Sequence, residues 1–170
     1  TNANSYSGSG TSVYDVMNTS SIAASLTGSP IFNSYPKSAT FNGTNQYMLV
    51  TSDLSTKFSA ITSGLNSSFT ITIWMNPTNT NGNGVVLTEF GSGNISSGWH
   101  DAQIVLVNGT LKFALWPYSI GTPLISSSIA TPANNWYMVS MTYDGAVINA
   151  YVNGVLAGTY GTLSSPFARQ

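Results

Sequence analysis

The sequence predicts an all-β fold, a sandwich of two antiparallel sheets, and three observations lead there. Short apolar and β-branched runs recur between Gly, Asn, Pro and Ser punctuation, the rhythm of strands joined by tight turns. No segment keeps an i, i+3, i+4, i+7 apolar stripe for three turns, so helix content is minor. Asn108-Gly109, Asp144-Gly145 and Asn153-Gly154 each interrupt alternating apolar runs, where a two-residue type I′ turn demands positive φ twice.

In chain order, the clearest strands are expected over 46–51, 69–76, 85–90, 101–107, 110–116, 136–143 and 146–152, with weaker ones over 22–26, 38–42 and 155–160. A short helical turn is expected within 53–65. A two-residue turn also sets register. Around Asn108-Gly109 the opposed pairs are Val107 with Thr110, Leu106 with Leu111, Val105 with Lys112, Ile104 with Phe113, Gln103 with Ala114 and Asp101 with Trp116. One face of this hairpin then carries Ile104, Leu106, Leu111, Phe113 and Leu115 and is core. The reverse carries Asp101, Gln103, Lys112 and Trp116, a polar surface with one large aromatic. The same construction at Asp144-Gly145 turns Tyr137, Val139, Met141, Ile148, Ala150 and Val152 inward. It turns Trp136, Met138, Ser140, Thr142, Asn149 and Tyr151 outward. With the next turn at Asn153-Gly154, residues 136–160 read as a three-stranded meander.

A chain of 170 residues with 42% apolar content reads as one domain over 1–170, able to bury a core of its own, and its start at Thr1 reads as that of a chain excised from a longer one. Charge is scarce: 4 Lys plus Arg and 5 Asp plus Glu make 9 ionic residues, or 5%, against roughly 25% in an ordinary soluble domain. A surface of hydroxyls and amides changes little with pH or salt and suits an exterior setting. A net charge of −1 supplies little of the repulsion that keeps particles apart, which favours association. No basic cluster serves a phosphate backbone, so nucleic acid is not expected as a partner. Cysteine is absent, which excludes disulfides and thiolate metal sites. No apolar run reaches the roughly 18 residues of a membrane-spanning helix.

Residues 136–145 (WYMVSMTYDG) followed by 150–154 (AYVNG) resemble the laminin-G-like jelly-roll domains of the concanavalin A-like lectin and glucanase superfamily. Residues 39–47 (ATFNGTNQY) and 69–77 (FTITIWMNP) are similar to two further signatures of that group, in the same order and spacing. The opening 4–11 (NSYSGSGT) with Tyr14 and Asp15 resembles the version found in structural and receptor-binding proteins of phages and large DNA viruses. The resemblance implies a jelly-roll sandwich and packing roles for Trp74 and Trp136. The sequence also departs from the pattern. Asn42 and Gln46 stand where family members often carry acids, which weakens any transfer of a calcium site. The family's first and last strands look short or absent here, and a sandwich lacking them leaves edges open to another chain.

The superfamily contains glycoside hydrolases, whose retaining members need two carboxylates about 5 Å apart. Glu89 is the only glutamate, the Glu-x-Asp-x-x-Glu motif of the related glucanases is absent, and no catalytic residue is expected. Glu89 reads as a strand-end carboxylate paired to Lys112 or to a backbone amide, and Asp144 as a turn residue. A single histidine, His100, without cysteine or a Gly-x-Ser-x-Gly elbow, argues against a zinc site or a nucleophile triad. Residues 79–84 (NTNGNG) imitate the oxygen spacing of a calcium loop but carry no charge, and the twelfth position is Phe90 rather than a bidentate Glu. No metal or cofactor is therefore expected; the calcium alternative rests on Asp15 or Asp53 with backbone carbonyls.

Sugar recognition needs an aromatic platform ringed by amides and carboxylates. Trp116 with Asp101, Gln103 and Lys112 meets that requirement, extended by Trp99, His100 and Tyr118. The competing expectation is that these aromatics cover a thin core or a contact between copies. Two functions follow as expectations: a non-catalytic structural or assembly module of a virion surface or extracellular filament, joined through sheet edges to its own copies or to a capsid or filament protein, or a lectin-like domain for cell-surface glycans.

Overall fold

The computed structural model describes residues 10–14, 23–34, 36–50, 68–90, 100–114 and 123–161, with backbone alone at 23, 89–90 and 100–102. The expected helical turn within 53–65 lies outside these residues. The chain forms two compact units, 1–58 and 59–170.

In the first unit, β1 (Ser12–Tyr14), β2 (Ala23–Thr27) and β5 (Tyr47–Val50) form one antiparallel sheet in the order β1-β2-β5, and β3 (Ile31–Ser34) and β4 (Lys37–Thr40) form a hairpin. Among its described residues, Ala24 and Leu26 are buried and apolar. Neutral amides hold the loop between β4 and β5. Asn42 Oδ1 accepts from the Thr44 and Asn45 amides at 3.0 and 3.2 Å, and its Nδ2 donates to Asn45 Oδ1 at 2.7 Å. Gln46 Nε2 donates to the Gly28 and Ser29 carbonyls at 2.7 and 3.0 Å, while its Oε1 accepts from the Asn42 amide at 2.8 Å. A carboxylate at position 46 would face two carbonyl oxygens with nothing to donate. The loss of acid there therefore has a structural reason.

The second unit is a two-layer sandwich. β6 (Phe69–Met75) enters one sheet, and the chain then builds the opposite sheet as a meander of β7 (Asn83–Phe90), β8 (His100–Val107), β9 (Thr110–Phe113) and β10 (Ile125–Ala130). It returns as β11 (Tyr137–Tyr143) beside β6, followed by β12 (Ile148–Val152) and β13 (Val155–Tyr160), giving the orders β10-β9-β8-β7 and β13-β12-β11-β6. One core fills the space between the sheets. Ile104, Leu111 and Phe113 contribute from one side and Val139, Met141 and Ile148 from the other, all fully buried. Each such side chain contributes about 1.5–3 kcal/mol through removal from water.

The expected core faces of both hairpins are present, with Leu115 outside the described residues. At Asn108-Gly109 the register is as expected from Ile104 opposite Phe113 to Val107 opposite Thr110, with φ of 46° and 77° at the two turn residues. The Ala114 amide extends it by donating to the Gln103 carbonyl at 3.0 Å. Asn153-Gly154 is likewise a tight turn with both φ positive. Asp144-Gly145 is not. Tyr143 pairs with Ile148, so four residues make the connection, and only Gly145 has positive φ. Asp144 Oδ1 accepts from the Ala146 and Val147 amides at 2.9 and 2.7 Å, a side-chain-closed turn that wins over the two-residue alternative. Relative to that alternative the pairing slips by two residues, and an even slip leaves every side chain on its expected face.

Three strands were not expected. β1 and β3 are short, and β10 reads Ile-Ser-Ser-Ser-Ile-Ala, a serine run that hides its period. Tertiary contact explains β10. Ser128 Oγ donates to the Ala157 carbonyl at 3.1 Å, and a Cβ at Gly158 would stand 2.5 Å from Ile125 Cγ2. The two sheets are thus closed against each other along β10 and β13.

Candidate binding surface

On the reverse of the β8–β9 hairpin, Gln103 is 5% exposed and Val105 1% exposed, with Ala114 buried beside them. The polar open surface expected here is closed at Gln103. An apolar Val105 between Gln103 and Val107 was the available signal, because a fully solvated face would not alternate through it. The register also shifts between Val85 and Leu87 and between Leu87 and Thr88, next to Gln103. Lys112 is half-buried, opposite Val105 and Ser126. Asp101 and His100 are placed as backbone in β8, opposite Glu89 and Phe90. Trp99, Trp116 and Tyr118 lie outside the described residues, as do Asp15 and Asp53. Within the described residues, then, only Gln103 and Lys112 of the expected sugar platform have placed side chains, and one of them is buried.

Glu89 is placed as backbone at the end of β7. Its partner in the ladder is Asp101, whereas Lys112 stands opposite Val105, four residues further along β8, about 13 Å at strand rise.

The outer face of the β6–β11–β12–β13 sheet is different in kind. The four strands read FTITIWM, YMVSMTY, INAYV and VLAGTY and contain no ionic residue. Trp74 is 63% exposed, Trp136 41% and Leu156 52%. The packing roles implied for Trp74 and Trp136 are therefore corrected. Strand parity is the reason: Ile73 and Met75 point to the core, so Trp74 between them points out. Register places Trp74 opposite Met138, and Tyr151 between Ser140 and Leu156. Beside this apolar end run neutral polar groups, with Thr72 and Ser140 hydroxyls 3.0 Å apart and Thr159 Oγ1 donating to Asn149 Oδ1 at 2.7 Å. Met138, Trp136 and Tyr151 were legible as outward by alternation, and the two-residue turn at Asn153-Gly154 sets Leu156 opposite the outward Tyr151; the register shift between Ala150 and Tyr151 falls beyond it.

At the far end of the sheet a shallow depression is lined by Ser68, Phe69, Thr70, Thr142, Tyr143 and Asp144. Its one carboxylate, Asp144, is held below its ordinary pKa by the Val147 and Ala146 amides. Among the described residues no three His, Cys, Asp or Glu side chains stand close enough to hold a metal ion. In the 79–84 loop, Asn79 Oδ1 accepts from the Asn81 amide at 2.8 Å, and the Gly82 amide donates to Asn108 Oδ1 at 2.8 Å, which ties the loop to the β8–β9 turn.

The laminin-G-like family model described as the concanavalin A-like lectin/glucanases superfamily matches residues 42–169. Searches among curated proteins and among solved structures find no match.

Proposed function

Because the chain belongs to the concanavalin A-like lectin/glucanase superfamily through a laminin-G-like domain, we propose that it is a non-catalytic structural and assembly module of a virion surface or an extracellular filament. The observation that carries this reading is the uncharged outer face with Trp74, Trp136 and Leu156 open to water. Apolar surface clustered in this way is the mark of a contact site, and neutrality removes the charges that ordinarily guard a sheet from its neighbours. Laminin-G-like domains are typically non-catalytic binding modules and commonly extracellular. Among the described residues no helix is long and apolar enough to cross a membrane.

The alternative reading is a glycan-binding domain, favoured by the exposed Trp74 indole with the Thr72 and Ser140 hydroxyls next along the same face, a combination suited to stacking and hydrogen-bonding a sugar ring. Sedimentation velocity across a concentration series, read beside a glycan array, separates the two. Assembly expects species larger than the monomer and an array at background. A chain that stays monomeric throughout and lights specific glycans would replace the assembly reading with the lectin one.

A further inference from the structure

We propose that the outer face of the β6–β11–β12–β13 sheet is self-complementary and pairs two copies of this chain, face to face, about a two-fold axis. The proposal rests on the assembly reading and deepens it by naming the surface, the partner and the symmetry.

Four features of the face point to a second copy. First, its strands carry no ionic side chain, so an ionic partner finds nothing to pair with, while an identical face brings no like charges together. Second, its apolar groups are spread for an isologous contact. Trp74 lies on β6 at one edge of the sheet and Leu156 on β13 at the other, with Met138 and Tyr151 on the strands between. A two-fold axis lying between the two faces, parallel to the strands and midway between β11 and β12, sets β6 of each copy over β13 of the other and β11 over β12, with Trp74 two residues along the strand direction from Leu156.

Third, the composition is that of an interface centre, aromatic and methionine-bearing and without Lys, Glu or Asp. Fourth, the area sets the strength. Four strands about 4.8 Å apart and about six residues long at 3.4 Å each cover about 19 by 20 Å, or about 400 Å² per copy. Two such faces bury about 800 Å², below the roughly 1,200–2,000 Å² of stable complexes. The pairing is therefore weak and reversible, and it closes at the dimer.

Sedimentation equilibrium from about 10 μM to about 1 mM tests this, a range in which a weak pairing becomes populated. The wild-type mass is expected to climb from one chain towards two and stop there, unchanged between low and moderate salt. Trp74→Ser is expected to weaken the pairing about tenfold, as loss of an interface tryptophan does, and Trp74→Ser with Leu156→Ser to abolish it. Val85→Ser, which alters an exposed apolar residue of the opposite sheet, is expected to leave it intact. Because the chain has no cysteine, Met138→Cys with a short bis-maleimide gives a clean second readout: a covalent dimer is expected there and not with Val85→Cys. Association that survives the Trp74 and Leu156 changes, runs past two copies, or cross-links at position 85 overturns the paired face while the assembly reading stands. A wild type that remains monomeric across the range overturns both, and glycan binding lost with Trp74→Ser would then assign the face to sugar.

Discussion

At Asn153 the backbone holds φ at 52°, the amide donates to the Met138 carbonyl at 2.8 Å, and Oδ1 accepts from the Met138 amide at 2.9 Å. Asn108 treats Gly82 in the same way, with bonds of 2.9 and 2.8 Å. Each asparagine therefore serves its own turn and also ties the turn to the adjacent strand. The two contributions are separable. Asn153→Gly keeps the positive φ and loses the acceptor, an expected cost of about 1 kcal/mol. Asn153→Ala adds the left-handed penalty of roughly a further 1–2 kcal/mol. Urea unfolding of the two variants checks the ranking, and equal costs would mean that only one contribution operates. Asp144 gives a pH signature. Its pKa is lowered by the Val147 and Ala146 amides that its carboxylate accepts, so its support of the 144–147 connection is complete above the ordinary Asp range and is lost as pH falls through the depressed value. Carboxyl NMR is expected to show Asp144 titrating below an ordinary Asp. Asp144→Asn, which keeps an acceptor oxygen, is expected to hold the turn while removing its acid sensitivity.

At the scale of elements, alternation and turn chemistry made most strands of the sandwich legible, because a half-buried strand leaves a period of two in its own residues. β10 escaped because its serines are set by what they meet. Ser127 Oγ bonds the Ile129 backbone, Ser128 bonds the Ala157 carbonyl, and Thr131 Oγ1 donates to the Gly109 carbonyl at 2.9 Å. The Ser127 contact is local, but the Ala157 and Gly109 carbonyls lie 29 and 22 residues away, beyond what a propensity can register. Gly158 is part of the same seam. Its φ is ordinary, so space alone selects glycine, and Gly158→Val is expected to push Ile125 away and cost about 1–3 kcal/mol as an overpacked core does. A thermal melt reads it directly, and Ile125→Ala in the same chain is expected to recover part of the loss; no recovery would place the strain elsewhere.

At the scale of the whole molecule, stability draws on one face of this sheet and the proposed association on the other. Inward residues of β6, β11, β12 and β13 join the common core, and their outward neighbours Trp74, Met138, Tyr151 and Leu156 are left to water or to a partner. Loss of Trp74 is therefore expected to change sedimentation at high concentration while leaving the unfolding midpoint within about 0.5 kcal/mol of wild type, as surface substitutions usually do. A large fall in stability would instead make Trp74 a packing residue, as the family resemblance implied.

By itself the sequence determined the all-β class, the Asn108-Gly109 register and the inward faces of both central hairpins, because turn type and a two-residue period are written in adjacent residues. It also determined that charge is nearly absent. Tertiary structure decided that Asp144-Gly145 opens into a four-residue connection, that Gln103 is closed off, and that Trp74 and Leu156 share one exposed face. Those outcomes depend on which strands become neighbours and on where a register shift falls, and both are settled by long-range packing between residues far apart in the chain.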